Sequence, residues 1–160
     1  GRKWISLMPT NLYGPFDNFE LQGSHVLPAF IRRFVEAAES GAAKETLWGT
    51  GAPKREFLHV ADLAAAVLHL GEKYDEPGHI NIGTGEDLTI KELAELVAEI
   101  AGFTGEIAWD HSKPDGTPRK VLDVSKAKSL GWAPKISLRD GITSTITWYK
   151  SAAAKGELRR

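Results

Sequence analysis

The chain is 160 residues long, with 42% hydrophobic and 26% charged residues, no cysteine, and 20 basic against 21 acidic side chains for a net charge of −1. That length corresponds to one domain, or one and part of another, and it can bury a core without covalent staples. The missing cysteine excludes a disulfide scaffold, a thiolate metal site and a cysteine nucleophile within these residues; the balanced charge excludes a global field for nucleic acid or an anionic membrane.

Trp4-Ile5-Ser6-Leu7-Met8 is a short apolar run closed by Pro9, the pattern of a buried strand. A strand buried on both faces needs neighbours on both sides, which a cut chain or a domain opening on its central strand could each explain. A turn-rich loop, Pro9 to Pro15, and a polar stretch, Asp17 to Gly23, follow. Ser24 reads as an N-cap with Pro28 in the first turn, and Val26, Leu27, Phe30, Ile31, Phe34, Val35 and Ala38 form a helical stripe up to Gly41. Glu45 to Trp48 and Arg55 to Val60 read as extended. A helix is expected from about Ala61 to Tyr74, with Leu63, Ala66, Val67 and Leu70 on one face. His79 to Gly83 alternates as a strand does.

Thr89-Ile90-Lys91-Glu92 matches a capping box and opens a helix running to Gly102. Glu106 to Asp110 is a strand, Ser112 to Lys120 a loop, Ser125 to Leu130 a short helix, and Leu138 to about Lys155 the last long helix before a polar tail. Strands alternating with helices make the class α/β. No apolar run approaches the ~20 residues of a membrane span and the start shows no signal peptide, so a soluble, cytoplasmic chain is expected.

Several side chains could carry chemistry. His25 sits at a helix start, where a ring can serve proton transfer or hold a polar ligand; the plainer alternative is a surface histidine. His59, His69, His79 and His111 show no metal-ligand spacing, so no metal is expected. Arg32-Arg33, Lys54-Arg55, Lys113 and Arg119-Lys120 lie beside turns, and cations converging on one cleft could neutralise a diphosphate. Helical spacing puts Arg32, rather than Arg33, nearer the His25 face. Trp48 could stack on a base or sugar, or be core. Gly83-Thr84-Gly85 lacks the third glycine of a dinucleotide fingerprint. There is no Tyr-x-x-x-Lys, Gly-x-Ser-x-Gly or Walker-type loop, so no complete catalytic motif stands in these residues.

Pro9-Thr10-Asn11-Leu12-Tyr13-Gly14-Pro15, Ser24-His25-Val26, Trp48-Gly49-Thr50-Gly51, Arg55-Glu56-Phe57-Leu58-His59-Val60, Asn81-Ile82-Gly83-Thr84-Gly85 and Ser112-Lys113-Pro114-Asp115-Gly116-Thr117-Pro118-Arg119-Lys120 occur in one order. Together they resemble the C-terminal half of the extended short-chain dehydrogenase/reductase family. More narrowly, they resemble its GDP-L-fucose synthase branch, the GDP-4-keto-6-deoxy-D-mannose 3,5-epimerase-4-reductases. The resemblance implies the last strands and helices of a doubly wound, Rossmann-like NAD(P)-binding sheet plus a small α/β substrate-binding domain over residues 1–150, with 151–160 a polar tail.

It also implies roles. Pro9, Thr10, Asn11 and Leu12, with His25, would touch the nicotinamide side of NADP(H). His25 would be the acid/base partner in epimerisation at C3 and C5. Arg33, Arg55 and Lys120 would hold the GDP diphosphate, Trp48 would lie beside the nucleotide, and Asp115 would hold a sugar hydroxyl. The family's Gly-rich fingerprint, its Ser/Tyr/Lys triad and its epimerisation cysteine belong upstream of Gly1. The chain is therefore expected to be inactive alone, to need the missing N-terminal half as partner, and to form a homodimer at full length. A UDP- or dTDP-sugar epimerase or dehydratase relative, and a non-catalytic nucleotide-sugar binding module, are the alternatives.

Overall fold

The computed structural model describes residues 4–21 and 23–158; Gln22 of the polar stretch and Arg159 and Arg160 of the tail lie outside the described residues. In chain order the elements are β1 (Ser6–Pro9), β2 (Asn11–Tyr13), α1 (Val26–Ser40), β3 (Lys44–Trp48), β4 (Lys54–Arg55), β5 (Phe57–His59), α2 (Val60–Lys73), β6 (His79–Ile82), β7 (Leu88–Thr89), α3 (Ile90–Ala101), β8 (Glu106–Asp110), β9 (Arg119–Lys120), α4 (Ser125–Ser129) and α5 (Leu138–Lys155). Strands far apart in sequence pair in parallel: β1 with β6, β2 with β5, β3 with β8 and β4 with β9. The exception is the short antiparallel pair of β4 and β7. Parallel pairing needs long crossovers, which the intervening helices supply.

Local chemistry sets the helix ends. At α3, Thr89 Oγ1 accepts from the Glu92 N–H at 3.0 Å while Glu92 Oε2 accepts from the Thr89 N–H at 2.7 Å, the reciprocal capping box. The Thr89 N–H and hydroxyl, each donating to Glu92 Oε2 at 2.7 Å, hold the Glu92 carboxyl below its usual range. The start of α1 differs from expectation. Its N-cap is His25, not Ser24, and the His25 side chain makes no capping bond. Pro28 explains the shift: it has no N–H to give the Ser24 carbonyl, so the first helical bond runs from the Ala29 N–H to the His25 carbonyl at 3.1 Å. The His25 ring is thereby left free of the helix.

Two apolar clusters divide the interior. The larger packs α1, α3 and α5 around Phe30, Ile31, Phe34, Leu93, Val97 and Ile142. The smaller gathers Leu58, Ala66, Leu70, Ile80, Ile82 and Trp132 between α2, β6 and α4. Strand alternation lets β5 serve both, since neighbouring Phe57 and Leu58 belong to different clusters.

Two expectations of burial fail in the smaller cluster. Met8 of β1 is 54% exposed, because β1 has β6 on one edge and no strand on the other among the described residues. On α2, Ala66 and Leu70 are buried but Val67 is 47% exposed. Val67 lies about 100° around the helix from Ala66, on a face that the described residues leave largely open.

Candidate functional site

The loop joining β1 to β2 is fixed from both sides. The Thr10 N–H donates to the Ile82 carbonyl at 3.0 Å. The Thr10 hydroxyl (3.3 Å) and the Asn11 amide (2.8 Å) both donate to the Glu56 carbonyl. So anchored, Thr10, Asn11 and Leu12 face His25 across a cavity of about 670 Å³ whose other walls include Tyr13, Asp17 and Val60. The structure thus brings together four of the residues expected to act on one ligand. Pro9 lies instead in an adjoining cavity of about 560 Å³, with Lys120, and Thr10 and Asn11 line both.

His25 is the side chain in the larger cavity suited to moving protons. Burial, reinforced by Asp62 and Asp140, pushes the Tyr13 phenol far above its usual range. Asp17 accepts the Asn18 N–H at 2.7 Å. Among the described residues, no lysine or arginine lines this cavity.

The cations divide into two groups. Arg55 of β4 and Lys120 of β9 stand opposite each other in a parallel register, which turns both side chains to one face. One Arg55 nitrogen donates to the Lys54 carbonyl at 2.7 Å. Arg33 is elsewhere. It pairs with Glu45, donates to the Thr46 carbonyl at 2.6 Å, and lines a third cavity, about 630 Å³, together with Trp48. Arg32 takes another direction, pairing with Glu36 at 2.8 Å. Of the two arginines, then, Arg33 is the one beside Trp48.

Trp48 is 70% exposed, and the Lys113 ammonium sits 5.6 Å from the centroid of its ring. It is therefore not core. The turn after it is closed by Asp115, whose two oxygens accept from the Thr50 N–H at 2.9 Å and the Thr50 hydroxyl at 2.6 Å. Those bonds hold the Asp115 carboxyl below its usual range. Gly49 takes φ +83° here, and a Cβ on it would strike the Asp115 carboxylate. Asp115 as placed shapes the Trp48 loop, with both of its oxygens engaged.

Glu56 escaped the sequence reading. It is fully buried, yet both of its oxygens are used: Oε1 accepts from the Gly85 N–H at 2.8 Å and Oε2 from the Leu122 N–H at 2.8 Å. Gly83 makes room for it, since a Cβ there would overlap Glu56 Oε1. The signal present in the sequence was the small residues at a strand end, Gly83-Thr84-Gly85, which mark a close approach. Gly83-Thr84-Gly85, rejected as a phosphate loop, is the cradle of this carboxylate.

Residues 1–83 match the NAD dependent epimerase/dehydratase family. GDP-L-fucose synthase 1 of Arabidopsis thaliana is 60% identical over 145 residues, covering 91% of this chain and 45% of that relative. GDP-L-fucose synthase of Escherichia coli (strain K12) is 51% identical over 158 residues, covering 93% and 49%. Among solved structures, a GDP-L-fucose synthetase from Naegleria fowleri bound to NADP superposes with a TM-score of 0.88 at 28% identity, over 96% of this chain and 48% of that one. The chain spans about half the length of the curated relatives it matches.

Proposed function

The chain belongs to the NAD dependent epimerase/dehydratase family, and from that premise we propose that it is the substrate-side half of a GDP-L-fucose synthase. Its fold is the C-terminal part of an extended short-chain dehydrogenase/reductase, α/β with parallel pairing. The substrate is GDP-4-keto-6-deoxy-D-mannose, epimerised at C3 and C5 and then reduced at C4. The observation that carries this reading is the junction at Thr10 and Asn11. They line both the cavity that holds His25 and the one that holds Lys120.

In this reading the nucleotide lies along Trp48 and Arg33, and its diphosphate meets Arg55 and Lys120. The sugar then reaches the His25 cavity. Carbons 3 and 5 flank the C4 ketone, so each C–H bond can break with its electron pair moving into an enolate. His25 exchanges a proton with the carbon as that bond breaks or re-forms. Remote binding energy from the GDP group orients the ring for this step. NADPH supplies the hydride for C4 when it is bound. Thr10, Asn11, Leu12 and His25 fit its nicotinamide end, and since no cation lines that cavity among the described residues, its phosphates fall to the cofactor-binding half. That half is the chain's partner, the assembled enzyme is a homodimer, and its compartment is the cytoplasm.

Calorimetric titration of the chain with GDP, UDP and dTDP tests the substrate class. GDP should bind most tightly, and Arg55→Ala or Lys120→Ala should each weaken it roughly tenfold. A preference for either pyrimidine nucleotide would sink the GDP assignment.

A further inference from the structure

Glu56 is a buried carboxylate in contact with three separate loops. Its side chain takes the N–H groups of Gly85 and Leu122, and its own carbonyl takes the side chains of Thr10 and Asn11. No ion pair involves it among the described residues, so backbone N–H groups provide the compensation that a buried charge needs. Its chain neighbour Arg55 and the residue two before Leu122, Lys120, are the cations that face each other across β4 and β9. Glu56 therefore sits where the diphosphate side and the His25 side of the site are joined through one residue.

A hydrophobic residue here would fill the space but leave the Gly85 and Leu122 N–H groups buried and unpaired. Glutamine would present an N–H where one of those donors needs an acceptor. A carboxylate alone among side chains of this size accepts at both ends. That requirement explains why a carboxylate is buried next to Phe57 and Leu58, and why Gly83 has no Cβ.

We propose that Glu56 is a positioning residue that couples the diphosphate-binding cations Arg55 and Lys120 to the Thr10–Leu12 loop facing His25. It touches neither ligand. Occupation of the cation pair is transmitted through the Leu122 N–H and the Glu56 carbonyl to Asn11 and Thr10. The coupling rests on the reading of Arg55 and Lys120 as the diphosphate site.

The test is an NMR titration of the chain with GDP, following the Asn11 side-chain amide and the His25 ring, in the wild type and in Glu56→Gln. Thermal melting checks that both are folded. In the wild type, GDP should shift the Asn11 and His25 signals. In Glu56→Gln, GDP should bind roughly tenfold more weakly and, at saturation, leave those two signals unmoved. A purely structural role would lower the melting temperature without removing the response at saturating GDP, and that result overturns the proposal.

If Glu56→Gln does not fold, Asn11→Ala cuts the same connection from the other end. GDP should then still move Leu122 but not His25, and an unchanged His25 response overturns the coupling. If the wild type does not bind GDP at all, the diphosphate reading fails and the coupling falls with it. Normal binding with a normal response in the variants removes the coupling alone.

Discussion

The two apolar clusters meet water differently. Around α1, α3 and α5, Ile31, Phe34, Leu93, Val97 and Ile142 are wholly buried, and aromatic pairs such as Phe34 with Phe103, 5.5 Å apart, close the gaps. Around β1 and α2, the inner residues Ile80 and Leu70 are just as buried, but Trp4 is 80% exposed and Leu68 is 74% exposed. The first region exposes Phe16 and Trp48 at its rim, but α1, α3 and α5 cover one another's apolar faces, whereas β1 has a strand on one edge alone among the described residues. Exposed apolar surface beside an unpaired strand edge marks a surface made for another element. That element, in our reading, is the cofactor-binding half of the enzyme. Of the residues proposed to face the nucleotide, Arg33 on α1 and Trp48 on β3 belong to the first region, while Lys120 shares a cavity with Pro9 of β1.

Mutations can break this contrast or sharpen it. Phe34→Ala should cost about 3–5 kcal/mol in urea unfolding, through the lost burial and the cavity left among α1 and α3; a cost under 1 kcal/mol would show that region to be as loosely packed as the other. Thr89→Ala removes one half of the capping box at α3 and should cost about 1 kcal/mol, read from the same midpoint.

His59 bridges the two regions. Its Nδ1 caps α2 by accepting the Ala61 N–H at 3.2 Å, and its ring stands edge-on to Tyr13. Burial lowers its pKa below the usual 6.5, against an opposing pull from Asp62. The unfolded chain then binds the extra proton, so the stability due to neutral His59 is complete above about pH 6.5 and is lost as the pH falls below it. His59→Asn keeps a capping oxygen without the titration. Between pH 7 and pH 5.5 it should lose less stability than the wild type; identical losses would contradict this. Smallest of all, Leu68→Gln on the open face of α2 should change stability by no more than about 0.5 kcal/mol. A larger loss would mean that α2 is covered within the chain.

Much of this contrast was legible beforehand. The period of α1 and the Thr89/Glu92 box are local signals, and the structure repeats them. The family resemblance grouped Pro9, Thr10, Asn11 and Leu12 with His25, and one cavity is lined by all of these except Pro9, which lies in the adjoining one. What the sequence hid was long-range. Ser24 looked like a cap because the rule is local, while Pro28 four residues later moved the cap to His25. The exposure of Val67 depends on what packs over α2, which periodicity cannot report. Glu56 acquires its meaning from Gly85 and Leu122, 29 and 66 residues away. The three cations expected to converge separate into a facing pair and an arginine beside Trp48, a distinction set by strand register.

Amide hydrogen exchange on the chain, with and without GDP, tests the central claim most directly. The account predicts the slowest exchange in α1 and α3 and fast exchange in β1. GDP should slow Glu56, Phe57 and Leu122 while leaving β1 unchanged. A β1 as protected as α3 in the free chain, or a Leu122 amide indifferent to GDP, would contradict it.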